Sequence, residues 1–350
     1  MAPVRNLEPA KKLETPVVEV TISHGALRLV GLQVGSPTDP GEDLHLAAIE
    51  GIGSPCRGLR VDGRGETLTT VCPDETGRSR LVLAQKGAVL RFDRELVPDA
   101  RPALSDDGVR VAVVTVDDGA EILRVIDLQQ TIELGISGLD SPRHPVLAGG
   151  GSAVACTATV DGRRHVVLID LIEEQAWVLS TGQKESGVAA IAANGRRVLF
   201  RGLGRPGDLL YLADVDRQTL HSVSDAEGAP LAADLSQHGD RVAFIHRIGG
   251  AVGLFSADVN ARKVVNLAGF FAPVHDVETS ADGARLAYTT PDGVVTVVDT
   301  EGRRMETVAE LAEGCVNPTL SSDGLWVAAL CDAEGVAAAV IRLFPLPVSE

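Results

Sequence analysis

Residues that could do chemistry are few here and widely spread. "GLGRPG" at 202–207 fits the G-x-G-x-x-G spacing that cradles a dinucleotide pyrophosphate. That chemistry needs a strand before the glycines and a helix after them, so that the helix N-terminus meets the phosphates. Here the segment lies between two strand-like stretches and contains Pro206, so it reads as a surface loop. No Walker A, H-E-x-x-H or C-x-x-C spacing occurs. Histidines stand at 24, 45, 144, 165, 221, 238, 246 and 275, without the spacing of metal ligands. Neither a cofactor nor a metal is expected. A Ser-His-Asp set can be dispersed along a chain, but no nucleophile-elbow pattern supports one.

The elements that must position any site come from a repeat. "LSDDGVRVAVV" at 104–114, "TSADGARLAYT" at 279–289 and "LSSDGLWVAAL" at 320–330 are nearly one phrase. Its glycine recurs as Gly65, Gly108, Gly151, Gly195, Gly239, Gly283 and Gly324, at spacings of 43, 43, 44, 44, 44 and 41. An apolar stretch ends in aspartate 19 residues later at Asp127, Asp170, Asp214 and Asp258, and 16 later at Asp299. Such an aspartate is expected to accept hydrogen bonds from the next turn's amides.

Within a unit the pattern predicts four strands. Strand A precedes an Asp-Gly or Asn-Gly turn, whose residues tolerate positive φ. In one unit A is "HDVETS" 275–280, B "ARLAYTT" 284–290, C "VVTVVD" 294–299 and D "METVAE" 305–310. B alternates apolar and polar residues with period two. A lone four-stranded sheet cannot bury both faces, but stacked neighbours can, which is the logic of a β-propeller. The expectation is an all-β, seven-bladed β-propeller of four-stranded antiparallel blades. Residues 58–350 form the seven repeats, and 17–57 form a closing segment with an extra hairpin. Residues 44–50 are expected to close the ring by completing the last blade. Residues 1–16 read as a polar, poorly ordered leader. Eight blades are the alternative.

The phrases "RPALSDDGVRVAVV" at 101–114, "NPTLSSDGLWVAAL" at 317–330 and "TSADGARLAYTT" at 279–290 resemble the TolB-type, or PD40, family of bacterial WD40-like propellers. The family's proline stands at Pro102, Pro145 and Pro318, though not in every unit, and the Trp-Asp dipeptide of other WD40 repeats is absent. The resemblance implies a propeller that binds a protein or peptide. A non-catalytic scaffold or binding module is therefore expected. A hydrolase or lyase with its site in the central funnel is one alternative; a structural subunit of a bacterial assembly is another.

Composition narrows the partners. Lys and Arg number 32 against 48 Asp and Glu, a net charge of −16, which disfavours nucleic acid. No apolar run approaches a membrane span, so no membrane insertion is expected. The N-terminal residues lack the apolar core of a signal peptide. A cytoplasmic location follows, or a periplasmic or secreted one if an export signal has been removed. The cysteines bear on this choice. Cys56 and Cys315 both stand nine residues before their glycines, and Cys72 and Cys331 both seven after. Each pair is near-opposite across an A–B hairpin, a distance suited to a disulfide. Two disulfides in an exported protein and buried thiols in a cytosolic one remain alternatives, with Cys156 single in either.

Strand A is the innermost strand of a blade, so its first residues ring one channel mouth. Seven before the glycines stand Gly58, Arg101, His144, Val188, Ala232, Asp276 and Asn317, and one earlier stand Arg57, Arg143 and His275. Arg57, Arg101, Arg143, His144, His275, Asp276 and Asn317 are expected to form a polar mouth. A carboxylate, a peptide terminus or an acidic loop could dock there on the arginine forks.

Overall fold

The repeat's turn explains how each blade begins. Ser105 Oγ donates to Asp107 Oδ1 at 2.6 Å and accepts from the Arg110 amide at 2.9 Å. Asp107 Oδ1 also accepts from the Val109 amide, and the Gly108 amide donates to the Ser105 carbonyl. The same set recurs at Ser280–Asp282–Arg285 and Ser321–Asp323–Trp326. A serine buried under each of these three turns satisfies the amides that the reversal frees; Asp62, Ala148 and Ala192 hold that position in the first, third and fourth units.

The computed structural model describes residues 4–6, 11–12, 21–26, 29–33 and 57–346, except 65, 75, 86–87, 93, 131, 181–184, 204–207, 225–227, 271–273, 291–293, 302–303, 311–314 and 333–338. The described residues form antiparallel sheets and no helix. From the innermost strand outward, the first blade is Arg57–Val61, Thr67–Pro73, Ser79–Gln85 and Ala88–Phe92. The second is Ala103–Leu104, Arg110–Asp117, Ala120–Asp127 and Ile132–Ser137. The third is Asp140–Leu147, Ala153–Val160, Arg163–Asp170 and Gln175–Val178. The fourth is Glu185–Ile191, Arg197–Leu203, Leu209–Asp214 and Thr219–Ser222. The fifth is Ala229–Leu235, Arg241–Ile248, Ala251–Asp258 and Lys263–Phe270. The sixth is His275–Thr279, Arg285–Thr289, Val295–Glu301 and Arg304–Glu310. The final sheet is Cys315–Leu320, Trp326–Asp332 and Ala339–Pro345.

This corrects the expected architecture. Six blades reach four or more strands, and the sheet that ends the chain has three, so seven four-stranded blades are not formed among the described residues. No eighth sheet appears there either. Residues 44–50, expected to close the ring, lie outside the described residues. The N-terminal strands that are described do not join the final sheet. Leu29–Gln33 pairs with the first blade, Thr21–Ala26 with the second, Lys11–Lys12 with the fourth and Val4–Asn6 with the fifth. Each adds a fifth, outermost strand. The physical reason is that every blade's outer strand carries a free row of amides and carbonyls, so an extended segment has several edges to satisfy. The innermost strands touch in chain order, and Cys315–Leu320 of the final sheet touches Arg57–Val61 of the first blade.

Between sheets the core is aliphatic, as 3% aromatics require. Val111, Val113, Leu123, Val125, Val154 and Val167 are buried in one continuous cluster spanning the first three blades. Phe200 on Tyr211 and Phe244 on Phe255 stack at 5.5 and 5.2 Å.

Candidate functional site

The channel is built by strand A and its turn. Two residues before each anchor, a backbone amide donates to the carbonyl at the same position of the next sheet. Gly63 bonds Asp106 at 2.7 Å, Asp106 bonds Gly149 at 2.9 Å, and Gly149 bonds Ala193 at 3.1 Å. Ala193 then bonds Gln237 at 2.8 Å, Gln237 bonds Ala281 at 3.0 Å, and Ala281 bonds Ser322 at 2.9 Å. These bonds tie one end of the channel into a girdle of main chain. Asp106 reaches across it to hydrogen-bond Ser322, and burial pushes its carboxyl up to about 6.

Strand A carries a bulge near its start in most sheets. The register shifts between Arg57 and Arg60, Arg143 and Val146, Val188 and Ala190, Pro230 and Ala232, His275 and Val277, and Val316 and Thr319. Gly58, His144 and Asp276 sit in these bulges with φ of 66°, 49° and 53°. His and Asp tolerate that left-handed region better than most residues. Beyond the bulge, five before each anchor, stand Arg60, Ala103, Val146, Ala190, Asp234, Glu278 and Thr319, all lining the cavity of about 160 Å³ along the channel. The polar members come from the fifth, sixth, final and first sheets, the apolar ones from the second to fourth.

Three of these form an ionic cluster. Arg60 Nη1 donates to Glu278 Oε1 at 2.8 Å and to its neighbour's carbonyl, Leu59 O, at 3.3 Å. Asp234 Oδ2 accepts the Thr279 amide at 2.8 Å. One guanidinium faces two carboxylates. Burial and the charge of Glu278 push the Asp234 carboxyl up to about 8, while burial also raises Glu278 against the pull of Arg60. Both shifts favour the protonated form of Asp234, which leaves Arg60 and Glu278 as the hydrogen-bonded ion pair.

The residues expected at the mouth divide into groups. Arg101, Arg143 and His144 come together. Arg143 is already engaged: its fork binds Glu121 at 2.6 and 2.5 Å, and its Nε lies 3.3 Å from Asp99. His144 Nε2 lies 3.7 Å from Asp99, and burial, with Arg101 next, lowers its affinity for a proton. Arg164, unforeseen from sequence, also acts on His144 and donates to the Ser141 carbonyl at 3.0 Å. Asp276 belongs with the channel ions, since its charge acts on Arg60 and Glu278. The side chains of Arg57, His275 and Asn317 lie outside the described residues. Cys72 is disulfide-bonded, and Cys56 lies outside the described residues. Cys315 faces Cys331 in the backbone register. Cys156 is a free, buried thiol pushed up to about 12, hence inert as a nucleophile.

Arg60, Asp234 and Glu278 stand five residues before the glycines, not seven, and are not among the residues expected at the mouth. At that position the repeat units otherwise carry Ala103, Val146, Ala190 and Thr319, so three ionic residues there are the signal in the sequence. Counting alternate residues from the mouth fails because the bulge inserts one.

No family model matches the chain, and no curated protein does. Solved structures do. Oligogalacturonate lyase of Vibrio parahaemolyticus superposes with a TM-score of 0.64 at 12% identity, over 92% of this chain and 97% of that one. The chain is a β-propeller. An oligogalacturonate lyase in complex with manganese gives 0.63 at 13% identity, over 93% and 98%. The Cps50 (Swd1) β-propeller domain of Myceliophteria thermophila gives 0.57 at 15%, over 86% and 99%. At such identities the likeness is one of fold. TolB from Acinetobacter baumannii is also a neighbour, at 0.47 and 16% over 82% of this chain and 62% of that one, and no family model supports the PD40 assignment.

Proposed function

We propose that this propeller is a non-catalytic binding module that docks an acidic segment of another protein at its strand A mouth. The observation that carries the reading is the gathering of Arg101, Arg143 and Arg164 around His144 on a chain of net charge −16. Arg101 is exposed and makes no hydrogen bond or ion pair among the described residues, so its fork is open to a carboxylate. Arg143, braced by Glu121, holds the spot rather than binding. The channel cavity of about 160 Å³ is below the roughly 300–1,000 Å³ of most drug-sized ligand pockets, which favours surface docking over a funnel enzyme. The disulfide at Cys72 favours an oxidising compartment, periplasmic or extracellular, over the cytoplasm.

Affinity capture from the native organism tests this, with wild-type protein beside an Arg101→Ala/Arg164→Ala variant. The partner should be held by the wild type and lost at least about tenfold by the variant, with salt weakening both. Equal capture would overturn the mouth assignment. The enzyme alternative draws on the fold shared with the oligogalacturonate lyases. Turnover of oligogalacturonate, with manganese added, would overturn the non-catalytic reading.

A further inference from the structure

The channel cluster has binding capacity that the fold does not use. Arg60 spends only Nη1 on protein partners; its Nε and Nη2 make no bond among the described residues. Glu278 uses Oε1 and leaves Oε2 without a partner there. The Arg60 and Glu278 side chains keep 36% and 22% of their surface exposed, and both line the cavity. Val146 and Ala190 line the opposite, apolar side.

These features constrain a ligand. A simple anion would be repelled by Glu278, Asp234 and Asp276, and a bare cation would leave the unused N–H groups of Arg60 unpaired. An uncharged apolar molecule would bury half-satisfied ions, which is costly. A molecule carrying both charges on adjacent atoms meets every demand. We propose that the channel binds a small zwitterion, a short-chain α-amino acid with both ends free. Its carboxylate takes the unused N–H groups of Arg60, and its ammonium lies between Glu278 and Asp234. A methyl-sized side chain points toward Val146 and Ala190. The cavity of about 160 Å³ favours short side chains over long ones. Burial raises the Asp234 carboxyl to about 8, and an ammonium beside it favours the ionised form, so binding at pH 7 is expected to release a proton. This site is separate from the mouth and does not rest on the docking proposal.

Isothermal titration of the full chain tests it. The probes are glycine, L-alanine, L-tryptophan, acetate and ethylammonium, each in two buffers of different ionisation enthalpy. Glycine and alanine should bind, with acetate, ethylammonium and tryptophan at least about tenfold weaker. The alanine heats should differ between buffers by the equivalent of about one proton. Arg60→Lys and Glu278→Gln should each weaken alanine about tenfold while circular dichroism stays unchanged. No heat from glycine or alanine at millimolar concentration overturns the proposal. So does ethylammonium or acetate binding as tightly as alanine, which would mean a simple ion site. If the variants fail to fold, the comparison of whole with half ligands on the wild type decides.

Discussion

Asp234 is the channel carboxyl that burial and the charge of Glu278 raise most. Its carboxyl is raised to about 8 in the fold, against the ordinary carboxylate value of about 3.8 when unfolded. The folded state therefore holds a proton that the unfolded state has shed throughout that window. Its contribution to stability is complete below about pH 4 and is lost as pH rises toward 8. Asp234→Asn should remove its share of the slope and leave those of Asp106 and Glu278. The variant should match the wild type near pH 4 and exceed it at pH 8 by on the order of 1–2 kcal/mol, allowing for screening in a wet channel. Urea unfolding at the two pH values measures this; a variant less stable at pH 8 would mean that Asp234 is ionised there. Asp276 belongs to the same scale. Its φ of 53° strains a side-chain-bearing residue, so Asp276→Gly should cost less than about 0.5 kcal/mol or even stabilise. Thermal melts should separate it from Gly58→Ala. There the new Cβ would meet Pro102 Cδ at 2.8 Å with φ at 66°.

Between elements, the strongest device is an arginine two residues after the anchor glycine. Arg197 Nε donates to Asp214 at 3.0 Å within its own blade, and its Nη1 to the Gly239 carbonyl of the next at 2.9 Å. Arg285 does the same with Asp299 and Gly324, at 2.7 and 2.6 Å, and Arg110 with Asp127 and Gly151, at 3.4 and 2.8 Å. Where the third unit has Ala153 instead, Arg196 of the fourth reaches back to Asp170 at 3.0 Å. The aspartate's other oxygen caps the following turn, as Asp127 Oδ1 does for the amides of Gln129 and Gln130. Arg285→Ala should cost about 2–4 kcal/mol, because it leaves Asp299 and a buried carbonyl unpaired. The same staple explains the glycine: at Gly239 an added Cβ would stand 2.8 Å from Arg197 Cδ, with φ at 71°. Gly239→Ala should therefore destabilise by more than the ~1 kcal/mol of left-handed strain alone. Denaturant midpoints of the two variants give both figures.

At the scale of the molecule, the seam of the ring lies where the final three-stranded sheet meets the first blade, Cys315–Leu320 against Arg57–Val61. Arg60 and Glu278 pair across that seam, from the first blade to the sixth. The first, second, fourth and fifth blades gain an outer strand from the N-terminal segments. Deleting residues 1–33 should uncover those edges and raise aggregation, read by light scattering on storage, while the channel cluster stays intact. A truncated protein that remains monodisperse would show that the blade edges protect themselves. Reducing the disulfide at Cys72 should lower stability by about 2–4 kcal/mol. Cys156 is too buried to react until the chain unfolds.

The repeat was legible because its signals are local. A serine, an aspartate and a glycine within four residues build one turn wherever they occur, and alternating apolar residues after them make strand B. So the sequence alone sufficed for the propeller, for the strand order within a unit and for the aspartate that caps strand C. The strand count of each blade was not legible, since an outer edge accepts any extended segment that reaches it. Nor was the channel's ionic cluster. Arg60, Asp234 and Glu278 lie on three different blades, far apart along the chain. Only closing the ring sets them beside one another, and only the bulges in strand A decide that these side chains, rather than those two residues earlier, line the channel.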